Sequence, residues 1–383
     1  MKTFVIILFL AKSVFAENII SNYRNYPISS INYELTKVTK SLLNSPWGIT
    51  FIDNSNVIVT EKNGRLLKIN VHSGKINEIS HEIESIKYRN TNAFQQGGLL
   101  DVYAHNDGYI YFSYSHDFKK QDSQMVGSST AIAKGKLYND KLKNFEILLS
   151  AEPKLKRNLH WGSRILIKND KIYASFGERG LGMIAQDPTK HPGSIIRINT
   201  DGSIPNDNPA FKGYSDWLPE IYLIGVRNPQ GITVSPSDGN IYFSQHGPKG
   251  GDNIGKVEYA ANFGWKDIAW GGTEYSGKKI GTAPFKKNYN KPIISWVPSI
   301  AVGNINFYEG NEFSDWNGDL LVCATNTEML IRLDFENNKI VGKEIIFENK
   351  IGRIRDFEID KDGNIFIIVD GKETSLWKMT KVN

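Results

Sequence analysis

The chain has 383 residues, 40% of them hydrophobic and 23% charged, with a formal charge of +5 and one cysteine. That composition excludes a disordered chain, and the length allows one large all-β unit. A single cysteine excludes an internal disulfide and thiolate-built zinc, and the scattered lysines form no polybasic run of the kind that marks a nucleic-acid partner.

The chain begins with Lys2, an apolar run from Phe4 to Ala11, and small residues at Val14 and Ala16. This predicts a signal peptide over residues 1–16, cleaved after Ala16, and a secreted or periplasmic protein whose single domain covers residues 17–383. The run is too short for a membrane span, and no later apolar stretch reaches spanning length.

Self-similar units then follow one another. They begin at Pro46 (PWGITFIDNSNVIVTEKNGRLLKIN), Gly97 (GGLLDVYAHNDGYIYFSYS), Trp161 (WGSRILIKNDKIYASFG), Asn228 (NPQGITVSPSDGNIYFSQHG), Ser299 (SIAVGNINFYEG, continuing into NGDLLVCATN) and Gly352 (GRIRDFEIDKDGNIFIIVD). Each reads as a strand, a turn rich in Asp, Asn and Gly, and a second strand rich in Ile, Tyr, Phe and Val. The two DGN turns, at 238–240 and 362–364, are hairpin signals. Near-continuous apolar strands suit sheets buried on both faces. Many units add a third strand, such as RLLKIN or SIIRIN. Six such sheets predict an all-β, six-bladed β-propeller of four-stranded antiparallel sheets. Residues 33–38 are predicted to pair with 376–380 and close the ring. Residues 121–158, 200–219 and 265–295 read as long inter-strand loops. Cys323, in LLVCA, reads as an inert buried strand thiol.

Several enzyme classes lack support. None of the seven histidines stands in an HExxH pattern, no GxSxG elbow is present, and no GxGxxG opens a helix after a strand. Five polar segments at strand ends stand out instead: QQGGLLD at 95–101, LHWGSR at 159–164, GVRNPQG at 225–231, QHGPKGGD at 245–252 and GRIRD at 352–356. Buried polar groups are costly unless paired or ligand-bound, and equivalent strand ends of a propeller converge on one mouth of the channel. Arg353 and Arg355, two apart on a strand, share a face. The plainer reading makes them a solvated or ion-paired face, with Asp356 the available partner. His160 taken alone reads first as a core histidine bonded to backbone, the commoner fate of an isolated histidine, and Gly247–Pro248 as a plain turn.

These segments carry a resemblance. RNPQG, HGPKGGD, ANFGW (261–265) and RIRD stand in the order and context of the soluble sugar dehydrogenases of the glucose/sorbosone dehydrogenase family, which use pyrroloquinoline quinone (PQQ). QGGLLD, VPSIAVG and the run from Ala185, AQDPTKHPGSIIRINTDGSIPNDNP, are similar too, and the likeness extends from about Ser45 to Trp377. The resemblance implies an aldose sugar substrate oxidised at its anomeric carbon, PQQ and Ca²⁺ as cofactors, and an external electron acceptor, either a small redox protein or a dye. It implies His160 as catalytic base beside Arg227, with Gln96, Arg227, Asn228, Arg353 and Arg355 on the quinone. It assigns calcium to the main-chain carbonyls of Gly247 and Pro248.

The chain departs from the family pattern at three places. Leu159 stands where the family often has His or Asp. Asn253–Ile254–Gly255 replaces Glu-Ile-Asn, removing a carboxylate that could support a second calcium. Asn326 stands near a cofactor-binding lysine of the fifth blade, a loss for which Lys249 could compensate. A non-catalytic sugar- or ligand-binding propeller is the alternative function. A calcium-dependent lactonase ranks below both, because that class needs carboxylates converging on the ion.

Overall fold

The structure is a computed structural model that describes residues 19–84, 96–119 and 125–382. The predicted signal peptide, residues 1–16, lies outside the described residues. Among the described residues, no helix is long and apolar enough to cross a membrane.

Six sheets follow one another along the chain. Blade 1 comprises Pro46–Asp53, Asn56–Glu61, Leu66–Asn70 and Ile76–Glu78. Blade 2 comprises Leu99–Ala104, Ile110–Lys119, Met125–Tyr138 and Lys141–Ser150. Blade 3 comprises Gly162–Lys168, Lys171–Phe176, Ser194–Asn199 and Ile221–Ile224. Blade 4 comprises Pro229–Val234, Ile241–Gln245, Asp252–Lys256 and Ile294–Trp296. Blade 5 comprises Val302–Phe307, Leu320–Ala324, Met329–Glu336 and Lys339–Glu348. Blade 6 joins Ile354–Ile359, Ile365–Val369 and Leu376–Lys381 to Tyr33–Lys37. The first strand of every blade touches the first strands of both neighbours, so the inner ring is closed. Closure is the predicted one: Tyr33–Lys37 lies antiparallel to Leu376–Lys381.

The near-continuous apolar strands now have a physical account. Side chains alternate between the two faces of a sheet, and each face meets a different neighbouring blade. Tyr111 packs toward blade 3 and Phe112 toward blade 1. Phe243 packs toward blade 3 and Tyr242 toward blade 5. Leu320 faces blade 4 while Leu321 and Cys323 face blade 6. Cys323 is fully buried, and burial pushes its thiol up to about 12, so it is inert.

Two features differ from the sequence reading. Residues 121–158 are not a loop, because the third and fourth strands of blade 2 occupy most of them. Along Lys141–Ser150 only Leu142 is buried, and polar residues interrupt the apolar ones without a strict alternation, so this outer strand carried no clear strand signal. In addition, Ile20–Ser21 adds a fifth, parallel strand to blade 4 against Ile294–Trp296.

Candidate functional site

In each blade the start of the first strand and the end of the second lie side by side, as an antiparallel hairpin requires. Those ends from all the blades surround a cleft of about 530 Å³ at one mouth of the channel. Strand starts supply Trp47, Gln96, Gly162, Asn228, Ala301 and Arg353 to its wall. Strand ends supply Lys62, His246, Thr325 and Asp370. All five polar segments therefore converge, as their residue types predicted.

His160 stands just before blade 3 and Glu178 just after its second strand, so the hairpin brings them together. His160 Nδ1 hydrogen-bonds the Glu178 carboxylate. Glu178 Oε2 also accepts the Gly182 N–H, and Gln96 Oε1 accepts the His160 N–H at 2.7 Å. His160 has a left-handed backbone, φ 51°, and a Cβ on Gly177 would stand 2.1 Å from the His160 carbonyl. The backbone thus holds this imidazole in a conformation that is costly for a non-glycine residue. Burial, then the nearby Arg227 charge, depress the His160 pKa. Burial opposes ionisation of Glu178, but the His160 bond and charge, the Gly182 N–H and the Arg227 charge together outweigh it, and the carboxyl titrates below its usual range. The pair is accordingly a neutral imidazole, its Nδ1–H donated to a carboxylate, which leaves Nε2 as the basic nitrogen. The alternative of a core histidine bonded to backbone is corrected: its ring partner is a buried acid.

Arg227 and Asn228 are both 5% exposed. Arg227 donates Nη1 to the carbonyls of His246 and Gly247 at 3.2 and 3.0 Å, and stacks over Trp265. Asn228 Oδ1 accepts the Gly162 N–H at 3.0 Å, which leaves its amide N–H groups for the cleft. Gly247 lies behind the wall and Pro248 lines it. Their turn is fixed by Asp252, whose buried carboxylate accepts the N–H of Gly247, Ile300 and Ala301 and the Ser299 hydroxyl.

Arg353 and Arg355 both line the cleft, Arg353 exposed and Arg355 buried. The ion pair of Arg355 with Asp356 is corrected. Arg355 Nη2 lies 2.6 Å from Asp370 Oδ2, whereas Asp356 pairs with Arg164. The carboxylates of Asp101 and Asp356 clamp Arg164, which lies over the Trp47 ring and bonds the Arg355 carbonyl. Part of the polar signal in QQGGLLD, LHWGSR and GRIRD therefore builds the floor of the site.

Sequence reasoning missed Glu178, Asp370, Lys62 and Asp252. The register of the repeat could have found three of them: Lys62, Glu178 and Asp370 stand one or two residues past the second strand of their blades, as does His246.

The donor set suits a flat, polyanionic ligand with carbonyls. Three polar atoms around the cleft are buried with no hydrogen-bond partner: Arg227 Nε, Arg355 Nε and His246 Nε2. His246 is held neutral, its pKa pushed down to about 3 by burial and by Arg355 and Arg227. Among the described residues, no group of three or more His, Cys, Asp or Glu could hold a metal.

The fold is a six-bladed propeller with a carboxylate-paired histidine and a cleft lined by Lys62, Arg353 and Arg355, and comparison places the chain in a family of such propellers. The glucose/sorbosone dehydrogenase family model matches residues 43–378, and the protein belongs to that family. It is 30% identical to the aldose sugar dehydrogenase YliI of Escherichia coli over 365 residues, covering 93% of this chain and 94% of that one. It is 27% identical over 416 residues to quinoprotein glucose dehydrogenase B of Acinetobacter calcoaceticus, covering 87% and 84%. The crystal structure of apo aldose sugar dehydrogenase from Escherichia coli superposes with a TM-score of 0.83 at 28% identity, covering 91% of this chain and all of that one.

Proposed function

We propose that the protein is an exported quinoprotein that oxidises aldoses at the anomeric carbon with PQQ and calcium. The observation that carries this reading is the His160–Glu178 pair adjoining a cleft whose wall holds Arg353 and Arg355: Gln96, which accepts the His160 N–H, and Trp161, the next residue, both line that cleft.

Bound PQQ supplies a hydride-accepting carbonyl, and calcium a Lewis acid that polarises it. Arg353 and Arg355 hold the cofactor's carboxylates, Arg355 already oriented by Asp370. Asn228 and Arg227 would supply donors for the quinone oxygens, which need stabilisation when the cofactor is reduced. The Gly247 and Pro248 carbonyls would hold the calcium. Gly247 already accepts Arg227, but a carbonyl oxygen has a second lone pair. His160 Nε2 takes the anomeric hydroxyl proton, and Glu178 fixes the tautomer and stabilises the imidazolium that results. An external acceptor would be required to reoxidise the cofactor.

The test is reconstitution with PQQ and calcium, read by absorbance, followed by an aldose and an artificial acceptor. Aldose-dependent bleaching and turnover are expected, and His160→Ala should lower turnover by about 10²–10⁴-fold while binding quinone. Quinone binding without turnover on any aldose would instead make this a non-catalytic ligand-binding propeller. Loss of activity with a chelator and recovery with calcium checks the metal.

A further inference from the structure

We infer that Lys62, from blade 1, contacts a carboxylate of the quinone and takes the place of the lysine absent from blade 5. This inference rests on the quinone reading above. Asn326, the blade 5 position, lines the cleft and brings no charge there. Lys249 also lines the cleft, but on the exposed rim. Lys62 is different. Its Nζ lies 3.2 Å from Asp370 Oδ1 with 21% of its side chain exposed, while Arg355 Nη2 lies on the other oxygen of the same carboxylate at 2.6 Å.

One carboxylate therefore serves two cations, and Arg353 stands beside them with no ion pair among the described residues. Three positive groups with one negative group leave a net positive cradle on this wall. Burial, opposed by Asp370 but reinforced by Arg355 and Arg353, lowers the Lys62 pKa. Such a cluster is incomplete without a further anion. The Lys62 backbone is pinned as well. Its N–H bonds the Ser45 carbonyl, and a Cβ on Gly98 would stand 2.1 Å from the Lys62 carbonyl. Asp370 is thus a positioning residue that orients Lys62 and Arg355 without needing to touch the ligand.

Quinone titration followed by quenching of the cleft tryptophans, Trp47 and Trp161, tests this without turnover. Lys62→Met should raise the quinone Kd at least tenfold and flatten its salt dependence. Lys62→Arg should stay within threefold of wild type, and adding Asn326→Lys to Lys62→Met should restore most of the affinity. In the unaltered protein, quinone should slow reductive methylation of Lys62, read by peptide mass spectrometry, at least fivefold. This second measurement needs no variant to fold. Equal affinity in a folded Lys62→Met, or no protection of Lys62, overturns the inference while the quinone reading stands. A wild-type protein that binds no quinone removes both.

Discussion

His160 and Glu178 are eighteen residues apart, yet they form the two lips of one hairpin in blade 3, imidazole against carboxylate. The acid opposes the depression that burial and Arg227 impose on the ring. Its loss therefore changes both the orientation and the proton affinity of the base.

The first prediction follows from this pair. Activity requires neutral His160, so it falls as pH drops through the His160 pKa, which lies below the ordinary 6.5. Glu178→Gln removes a charge that raises that pKa, so the acid limb of kcat/KM should move to still lower pH. The plateau should fall about 10–100-fold, the usual loss for a partner that orients a functional histidine. A pH–rate profile checks both; an unmoved acid limb contradicts the role.

The two arginines should separate in their effects. Arg355 is buried on Asp370, so Arg355→Ala strands a carboxylate with only Lys62 beside it. It should cost about 2–4 kcal/mol of stability as well as quinone affinity. Arg353 is exposed and forms no ion pair among the described residues, so Arg353→Ala should leave stability within about 0.5 kcal/mol and weaken quinone binding alone. Urea unfolding beside quinone titration distinguishes them.

Arg164 should be structural. Arg164→Leu leaves Asp101 and Asp356 buried without their cation, a cost of about 3–5 kcal/mol at pH 7. Burial already raises Asp101 to about 6 and raises Asp356. A carboxyl raised on folding contributes stability that is fully present below its unfolded pKa and is lost as pH climbs through the folded value. Without Arg164 both groups rise further, so the variant should gain stability relative to wild type between pH 7 and pH 5. Thermal melts at the two pH values test the sign.

Asp252 should matter for the proposed calcium turn. Asp252→Ala frees three main-chain N–H groups that its carboxylate now accepts, at Gly247, Ile300 and Ala301. Each buried orphan costs about 1–3 kcal/mol. A lower melting temperature is expected, together with a higher calcium concentration for half-maximal activity. An unchanged calcium requirement in the folded variant argues against calcium at Gly247 and Pro248.

The sequence by itself determined the propeller, because strands buried on both faces must be apolar nearly throughout and hairpin turns need Gly, Asn and Asp. It also determined the ring closure by residues 33–38 and the five polar segments, since polar residues beside apolar strands are conspicuous. Tertiary structure alone decided how those polar groups pair. Arg355 takes Asp370 rather than its neighbour Asp356, Arg164 takes both Asp101 and Asp356, and Lys62 reaches Asp370 from the opposite end of the chain. Ion pairing depends on distance in space, and a closed ring makes the first and sixth blades neighbours. Sequence separation carries no trace of that proximity.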